Sequence, residues 1–307
     1  MADDDARIRT SVARLTALRA QARGFTLLPH QPVGGALAGS RASRLRGRGL
    51  SFDEIRRYLP GDDVRRMDWR VTARTRQPHV RIFTEERERP VLLVVDQRAN
   101  LFFASGGSMK SVVAAEAAAL AAWRVVASKD RVGGVVIGDD ALTTVSPGRD
   151  RRTVLRLLGA IAERNRGLDA HARSRPGMLN EALRRVARLA PHDALVVLIG
   201  DGDGIDDESR RLATGIARHN DVVALLVQDP LEAAWPAAGT LVASDGELQI
   251  QVPDSTAFRR RWADEAERRR ATLARFLRSR EIPVLALSTA EPVADQVRRA
   301  LAHGRRR

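Results

Sequence analysis

From Pro90 onward, apolar residues fall into short unbroken runs, separated by stretches with helical spacing. The runs Val91–Val95, Val132–Ile137, Ala194–Ile199, Val222–Val227 and Pro283–Leu287 have the length and β-branched content of strands buried on both faces. Between them, periodicity near 3.6 predicts helices over about Met109–Ala127, Arg151–Glu163, Leu179–Leu189, Glu208–Arg218 and Phe258–Arg280, with a last helix leading into Arg305-Arg306-Arg307. Leu142–Val145 reads as a hairpin partner of the second run across Asp139-Asp140, and Thr240–Val252 as a further hairpin turning at Asp245-Gly246. Strands alternating with helices imply an α/β fold, a mostly parallel, Rossmann-type sheet with helices on both faces. Sites in such sheets form beyond the carboxyl ends of the strands. Two runs end there in carboxylates, Asp96 and Asp201.

The first 90 residues follow a different grammar. Residues 1–43 hold a charged helical stretch, Ala6–Arg23, and then a Gly/Ser/Arg-rich segment. Residues 44–89 are dense in both signs of charge, with strand-like alternation at Val80, Ile82 and Thr84, and read as a small charged β-rich module. Residues 90–307 form the α/β domain.

Composition narrows the chemistry. The absence of cysteine excludes disulfides, thiolate zinc sites and thiol catalysis, and fits a reducing, cytoplasmic setting. The acidic start Met1-Ala2-Asp3-Asp4-Asp5 lacks the form of a signal peptide, and Glu116 and Arg124 interrupt the longest apolar stretch, so no membrane span is expected. Basic residues exceed acidic ones by 52 to 38, a net charge of +14, yet only Lys110 and Lys129 are lysines. The excess is arginine spread over the whole chain, without the interleaved aromatics of a base-stacking platform, so no specific nucleic-acid binding is expected. A basic nucleic-acid or anionic-surface binder using the helix Phe258–Arg280 and the Arg tail is the alternative reading.

Enzyme motifs fail on inspection. Gly106-Gly107-Ser108-Met109-Lys110-Ser111 lacks both framing glycines of a phosphate loop, Ala104 and Met109 standing in their places, and reads as Ser108 capping a helix. The loop Gly200-Asp201-Gly202-Asp203-Gly204 has Ile205 where a dinucleotide fingerprint needs glycine, and Ile205 and Asp206 break the calcium-loop pattern. The six histidines are scattered, and no nucleophile elbow is present. A non-enzymatic protein is expected.

The sharpest signal lies between Leu50 and Arg74. Pro60-Gly61 suits the centre of a type II turn, and Asp62 or Asp63 can cap a short helix after it. Trp69, Tyr58 and Phe52 interleaved with charges suggest ion pairs packed against a domain, with Trp69 buried. Phe52, Asp53, Arg56, Tyr58, Pro60, Gly61, Asp62, Asp63, Arg65, Asp68, Trp69, Ala73 and Arg74 closely resemble the signature of the bacterial domain of unknown function 58 family. The resemblance covers about Arg44 to at least Asp201. It implies a von Willebrand factor A-like domain preceded by a small β-rich module. It also implies partnership with MoxR-type AAA+ ATPases, beside which such proteins are often encoded, and with other proteins of the same operon. Many relatives carry an N-terminal transmembrane pair, which is not expected here.

Von Willebrand A domains commonly bind a divalent cation through Asp-x-Ser-x-Ser after the first strand, a loop Thr and a later Asp. Here the first motif reads Asp96-Gln97-Arg98-Ala99-Asn100, Asp201 matches the later Asp, and Met178 or a neighbour stands near the expected Thr. Arg98 and Asn100 replace the two hydroxyls, and a guanidinium repels a cation. No cofactor is therefore expected, Mg²⁺ at Asp96 and Asp201 being the degenerate remnant. Arg98 instead supplies the counter-charge at the strand ends. The expected partner-binding face is Asp96, Arg98, Asn100 and Asp201, with Arg98 pairing bidentately with a partner's carboxylate.

Overall fold

The computed structural model describes residues 6–23, 25, 50–85, 89–233, 235, 241–244, 249–252, 255–278 and 282–302. The chain divides into two compact units, residues 31–88 and residues 1–30 together with 89–307. The turn of the second hairpin, Asp245-Gly246, and the Arg tail lie outside the described residues.

In the large unit, α1 (Val12–Ala17) precedes a strap that runs into the core. The small unit then contributes β1 (Leu50–Arg57), α2 (Trp69–Thr75) and β2 (His79–Glu85). The large unit resumes with β3 (Pro90–Asp96), α3 (Lys110–Ala127), β4 (Arg131–Ile137), β5 (Leu142–Gly148), α4 (Arg151–Arg166) and α5 (Met178–Leu189). It ends with β6 (Leu195–Gly200), α6 (Asp207–Ala217), β7 (Asp221–Gln228), α7 (Pro230–Ala233), the hairpin β8 (Val242–Ser244) and β9 (Gln249–Gln251), α8 (Thr256–Arg278), β10 (Val284–Ser288) and α9 (Val293–Ala302).

Six strands form one sheet in the order β10-β7-β6-β3-β4-β5, parallel throughout except for the edge pair β4–β5. Counted within the sheet this is the doubly wound order 3-2-1-4-5-6, and β3 lies at its switch point. The α/β class is present, and two-sided burial holds for β3, β4, β6 and β7; the run Pro283–Leu287 departs from it, because β10 is an edge strand in which Leu287 is buried and Val284 is exposed. Along β3, Val91, Leu93 and Val95 enter the core under α3, α4 and α9, while Leu92 and Val94 enter the core under α5, α6 and the end of α8. Each such side chain stabilises by about 1.5–3 kcal/mol relative to exposure. The alanines of α3 bring its backbone close to the sheet, and nearly the whole helix is buried.

Two local expectations change. Ser108 does not cap α3: the N-cap is Met109 without a side-chain bond, and the Met109 and Lys110 amides donate instead to the Arg7 and Phe103 carbonyls. The N-terminal helical stretch, set apart by pattern, belongs to the large unit. Leu15 is fully buried, the Trp123 indole donates to the Leu15 carbonyl at 3.1 Å, and Arg14 meets Glu116 at 2.6 Å. The Glu116 that breaks the apolar stretch in sequence thus anchors α1.

In the small unit, β1 and β2 pair antiparallel with a bulge between Phe52 and Glu54. Gly61 adopts φ +104°, the left-handed region the Pro60-Gly61 turn requires, and Asp63 caps the short helical turn that follows by accepting from the Arg65 amide. The side chains of Phe52 and Asp53 lie outside the described set. Trp69 corrects the expectation of a buried anchor: it is 69% exposed. The buried member of the pair is Asp68, which caps α2.

Candidate functional site: the carboxyl ends of the central strands

Asp96 ends β3 at the switch point, and Arg98 folds back onto it. The guanidinium closes a two-pronged bond, Nε to Oδ1 at 2.9 Å and Nη2 to Oδ2 at 2.7 Å, while the Arg98 amide adds a third to Oδ1. The remaining guanidinium protons go to the Asp203 carbonyl at 2.9 Å and toward the Arg175 and Pro176 carbonyls. Arg98 is entirely buried and Asp96 is 4% exposed. Burial pushes the Asp96 carboxyl upward, against the hydrogen bonds and charge of Arg98, and nearby Asp201 adds to the rise. Burial likewise works against the Arg98 charge, but Asp96, Asp203 and Asp201 outweigh it and hold Arg98 above an ordinary guanidinium.

The counter-charge role expected of Arg98 is therefore seen at Asp96. Its expected pairing with a partner's carboxylate is not: a fully buried guanidinium whose fork is closed on its own aspartate has no donor to offer outward.

Asp201, at the end of β6, has a different counter-ion. Lys110, at the start of α3, places Nζ 2.8 Å from Asp201 Oδ2 and 2.6 Å from Glu232 Oε1. The Lys110 side chain is 2% exposed and that of Asp201 5%. Burial alone would lower the Lys110 ammonium; the charges of Asp201 and Glu232 outweigh it and hold the group above its ordinary value. Asn100 Nδ2 donates to Asp201 Oδ1 at 2.9 Å, the Asp203 amide donates to the same oxygen, and the Ser174 hydroxyl donates to Asn100 Oδ1.

Sequence reasoning missed Lys110, Ser174, Glu232 and Asp139. Met178, expected near the loop threonine's position, is instead buried in the core, and Ser174 supplies the hydroxyl. Asp139, read as a turn residue, ties two loops together by accepting from the Ala99 and Arg175 amides. Only Lys110 left a usable signal, as one of two lysines in an arginine-rich chain.

The loop after β6 curls because Gly202 and Gly204 both take positive φ; a Cβ on Gly204 would stand 2.6 Å from the Pro176 carbonyl oxygen. Beside it lies a cleft of about 310 Å³, lined by Asp201, Asp203, Asp229 and Glu232 on one wall and by α8 from Glu265 to Leu273 on the other. The arginines of α8 that line it face Glu265 and Glu267 of the same helix. On α8 itself, Phe276 is buried, and Phe258, Trp262, Leu273 and Leu277 are half-buried.

A divalent cation needs free, hard oxygen donors. Both Asp96 oxygens are engaged by Arg98, and both Asp201 oxygens by Lys110, Asn100 and the Asp203 amide. A guanidinium and an ammonium fill the space where positive charge is wanted. The residues present do not fit a metal ion.

The strand order, with carboxylates ending two adjacent central strands, defines a doubly wound α/β domain whose positive charge at the strand ends comes from its own side chains. Residues 54–272 match the family described as "Protein of unknown function DUF58", and the chain belongs to that family. Uncharacterized proteins of Mycobacterium bovis and Mycobacterium tuberculosis are 35% identical over 288 residues, covering 92% of this chain and 88% of their own length. Among solved structures it is similar to the conserved hypothetical protein BatB from Bacteroides thetaiotaomicron, at TM-score 0.40 and 15% identity over 70% of this chain and 96% of that one. It is also similar to the SpRpn10 VWA domain, at TM-score 0.39 and 11% identity over 69% and 94%. Among the described residues, no helix is long and apolar enough to cross a membrane.

Proposed function

We propose that this chain is a non-enzymatic, cytoplasmic protein-interaction module that works with an AAA+ ATPase of the MoxR type, using the strand-end face of its large unit without a bound cation. The observation that carries the reading is the closed charge balance at that face, Asp96 with Arg98 and Asp201 with Lys110. Carboxylates so engaged are poor general bases and poor metal ligands, whereas the loops they fix form a pre-organised surface. The outward groups are then Asn100, Ser174, Asp203 and Glu232 at the rim, not Arg98. The side chains of Asp203 and Glu232 are 24% and 26% exposed, which makes the rim acidic and suits a basic group on the ATPase. The class of ATPase follows from the resemblance of Phe52–Arg74 to the family signature.

Calorimetric titration of the full chain with a MoxR-type ATPase from the same organism tests this. Binding should survive EDTA and weaken in the Asp203→Lys variant. No binding, or binding that a chelator abolishes, would overturn the reading.

A further inference from the structure

Residues 59–76 of the small unit are built inside out. Their acids are tied down and their largest apolar side chains face water. Asp62 receives both Nη atoms of Arg56 at 2.9 and 2.7 Å, and the Leu59 amide at 2.8 Å. Asp68, 4% exposed, accepts the Arg70 and Val71 amides at one oxygen and Arg81 Nε, at 2.8 Å, at the other. The hydrogen bonds from Arg81 and Val71 hold its carboxyl below the usual range. Leu59, Val64 and Trp69 meanwhile are 58%, 57% and 69% exposed.

The exposure is not fraying. α2 starts from the doubly bonded Asp68 cap, and the Asp68 amide donates to the His79 carbonyl. The inner side of the helix is fixed by Thr72, whose hydroxyl accepts from the His79 amide at 3.0 Å. Val71 and Thr72 are half-buried, while Trp69, Arg70, Ala73 and Arg74 are exposed. Hydrophobic burial alone would turn Trp69 inward, so the clamps at Asp62 and Asp68 hold an arrangement that folding by itself disfavours. In the same segment Arg65, Arg66, Arg70, Arg74 and Arg76 are exposed and make no ion pair with the described residues.

We propose that this face of the small unit docks a protein partner that presents an apolar pocket with an acidic rim. Trp69 is the anchor that fills the pocket, and Arg70 and Arg74 pair with carboxylates beside it. Rigid, exposed Trp flanked by Arg is the composition of an interface hot spot. The charge selects an acidic partner. The indole is the one aromatic side chain of residues 59–76, which favours a protein pocket over stacked bases, since those need several aromatic faces.

Selection of a displayed random-peptide library on the full chain, followed by titration of the enriched peptides, tests the proposal. Enriched peptides should combine acidic residues with an apolar core, and should bind Trp69→Ala at least about tenfold more weakly. Trp69→Phe should retain most of the affinity, and Arg70→Glu with Arg74→Glu should lose it, all with unchanged Tm. The proposal is overturned if no peptide is enriched or if the enriched peptides ignore Trp69. It is equally overturned if Trp69 confers binding to phosphatidylglycerol vesicles or to a DNA duplex instead. Acrylamide quenching that is the same with and without Trp69 would mean the indole is already covered by the chain's own large unit, and would also refute it.

Discussion

Replacing Lys110 by methionine removes a buried charge while keeping the length and apolar stem of the side chain. The ammonium stands 2.8 Å from Asp201 and 2.6 Å from Glu232, with only 2% of the side chain exposed. Breaking one partner out of a buried ion pair costs about 3–5 kcal/mol, because the other charge is left uncompensated. Two features place this site at the lower end. Asp201 keeps the Asn100 and Asp203 donors, and Glu232 is partly solvated. A loss of about 3 kcal/mol corresponds to a fall in Tm of about 6–12 °C for a unit of this size. The double variant Lys110→Met, Asp201→Asn removes the stranded anion as well and should recover a good part of that loss. Differential scanning calorimetry of the three proteins measures both quantities. The pH dependence adds an independent check. Because the folded state holds Lys110 above its ordinary value, the stabilisation is complete below about pH 10 and is lost as pH rises through the folded value. The Tm gap between wild type and variant should therefore be flat through neutrality and narrow only in strong alkali. A single-variant loss under about 1 kcal/mol, or a double variant no more stable than the single, would refute the assignment of Lys110 as the counter-ion of Asp201.

The other expectations concern separate parts of the chain. Trp69→Ala should change stability by no more than about 0.5–1 kcal/mol in thermal melts, since the indole is mostly solvated; a large loss would mean it is buried. Arg98→Ser with Asn100→Ser restores oxygen donors at the strand ends, so calorimetry with Mn²⁺ should detect weak binding that strengthens when Lys110→Met is added, whereas the native chain gives no heat. Burial would raise the Asp229 carboxyl, but the Ser105 hydroxyl and amide, Thr289 and Leu231 outweigh it and hold it below the ordinary range. Its contribution is present above about pH 4 and is lost as pH falls through the lowered value. Acid unfolding of Asp229→Asn should then show a shallower slope than wild type in that window.

The layers of this protein, and the lack of hydroxyl side chains two and four residues after Asp96, are legible in the sequence alone. Runs such as Val91–Val95 are apolar at every position, which only a strand covered on both faces explains, and the structure buries that run on both. Arg98 and Asn100 standing where hydroxyls would ligate a cation are legible as residue types, with no geometry needed. Which charges meet depends on the folded chain. Lys110 lies 91 residues from Asp201 and 122 from Glu232, and Ser174 lies 74 from Asn100, separations over which no local pattern carries information. The same holds for which way residues 59–76 face. Alternating aromatics and charges in Tyr58–Trp69 are compatible with either side turned inward, and the usual hydrophobic preference chose the wrong one. The orientation was set by Arg81 and the His79 carbonyl on β2, which bind the carboxylate and the amide of Asp68 from another strand and leave Trp69 in water.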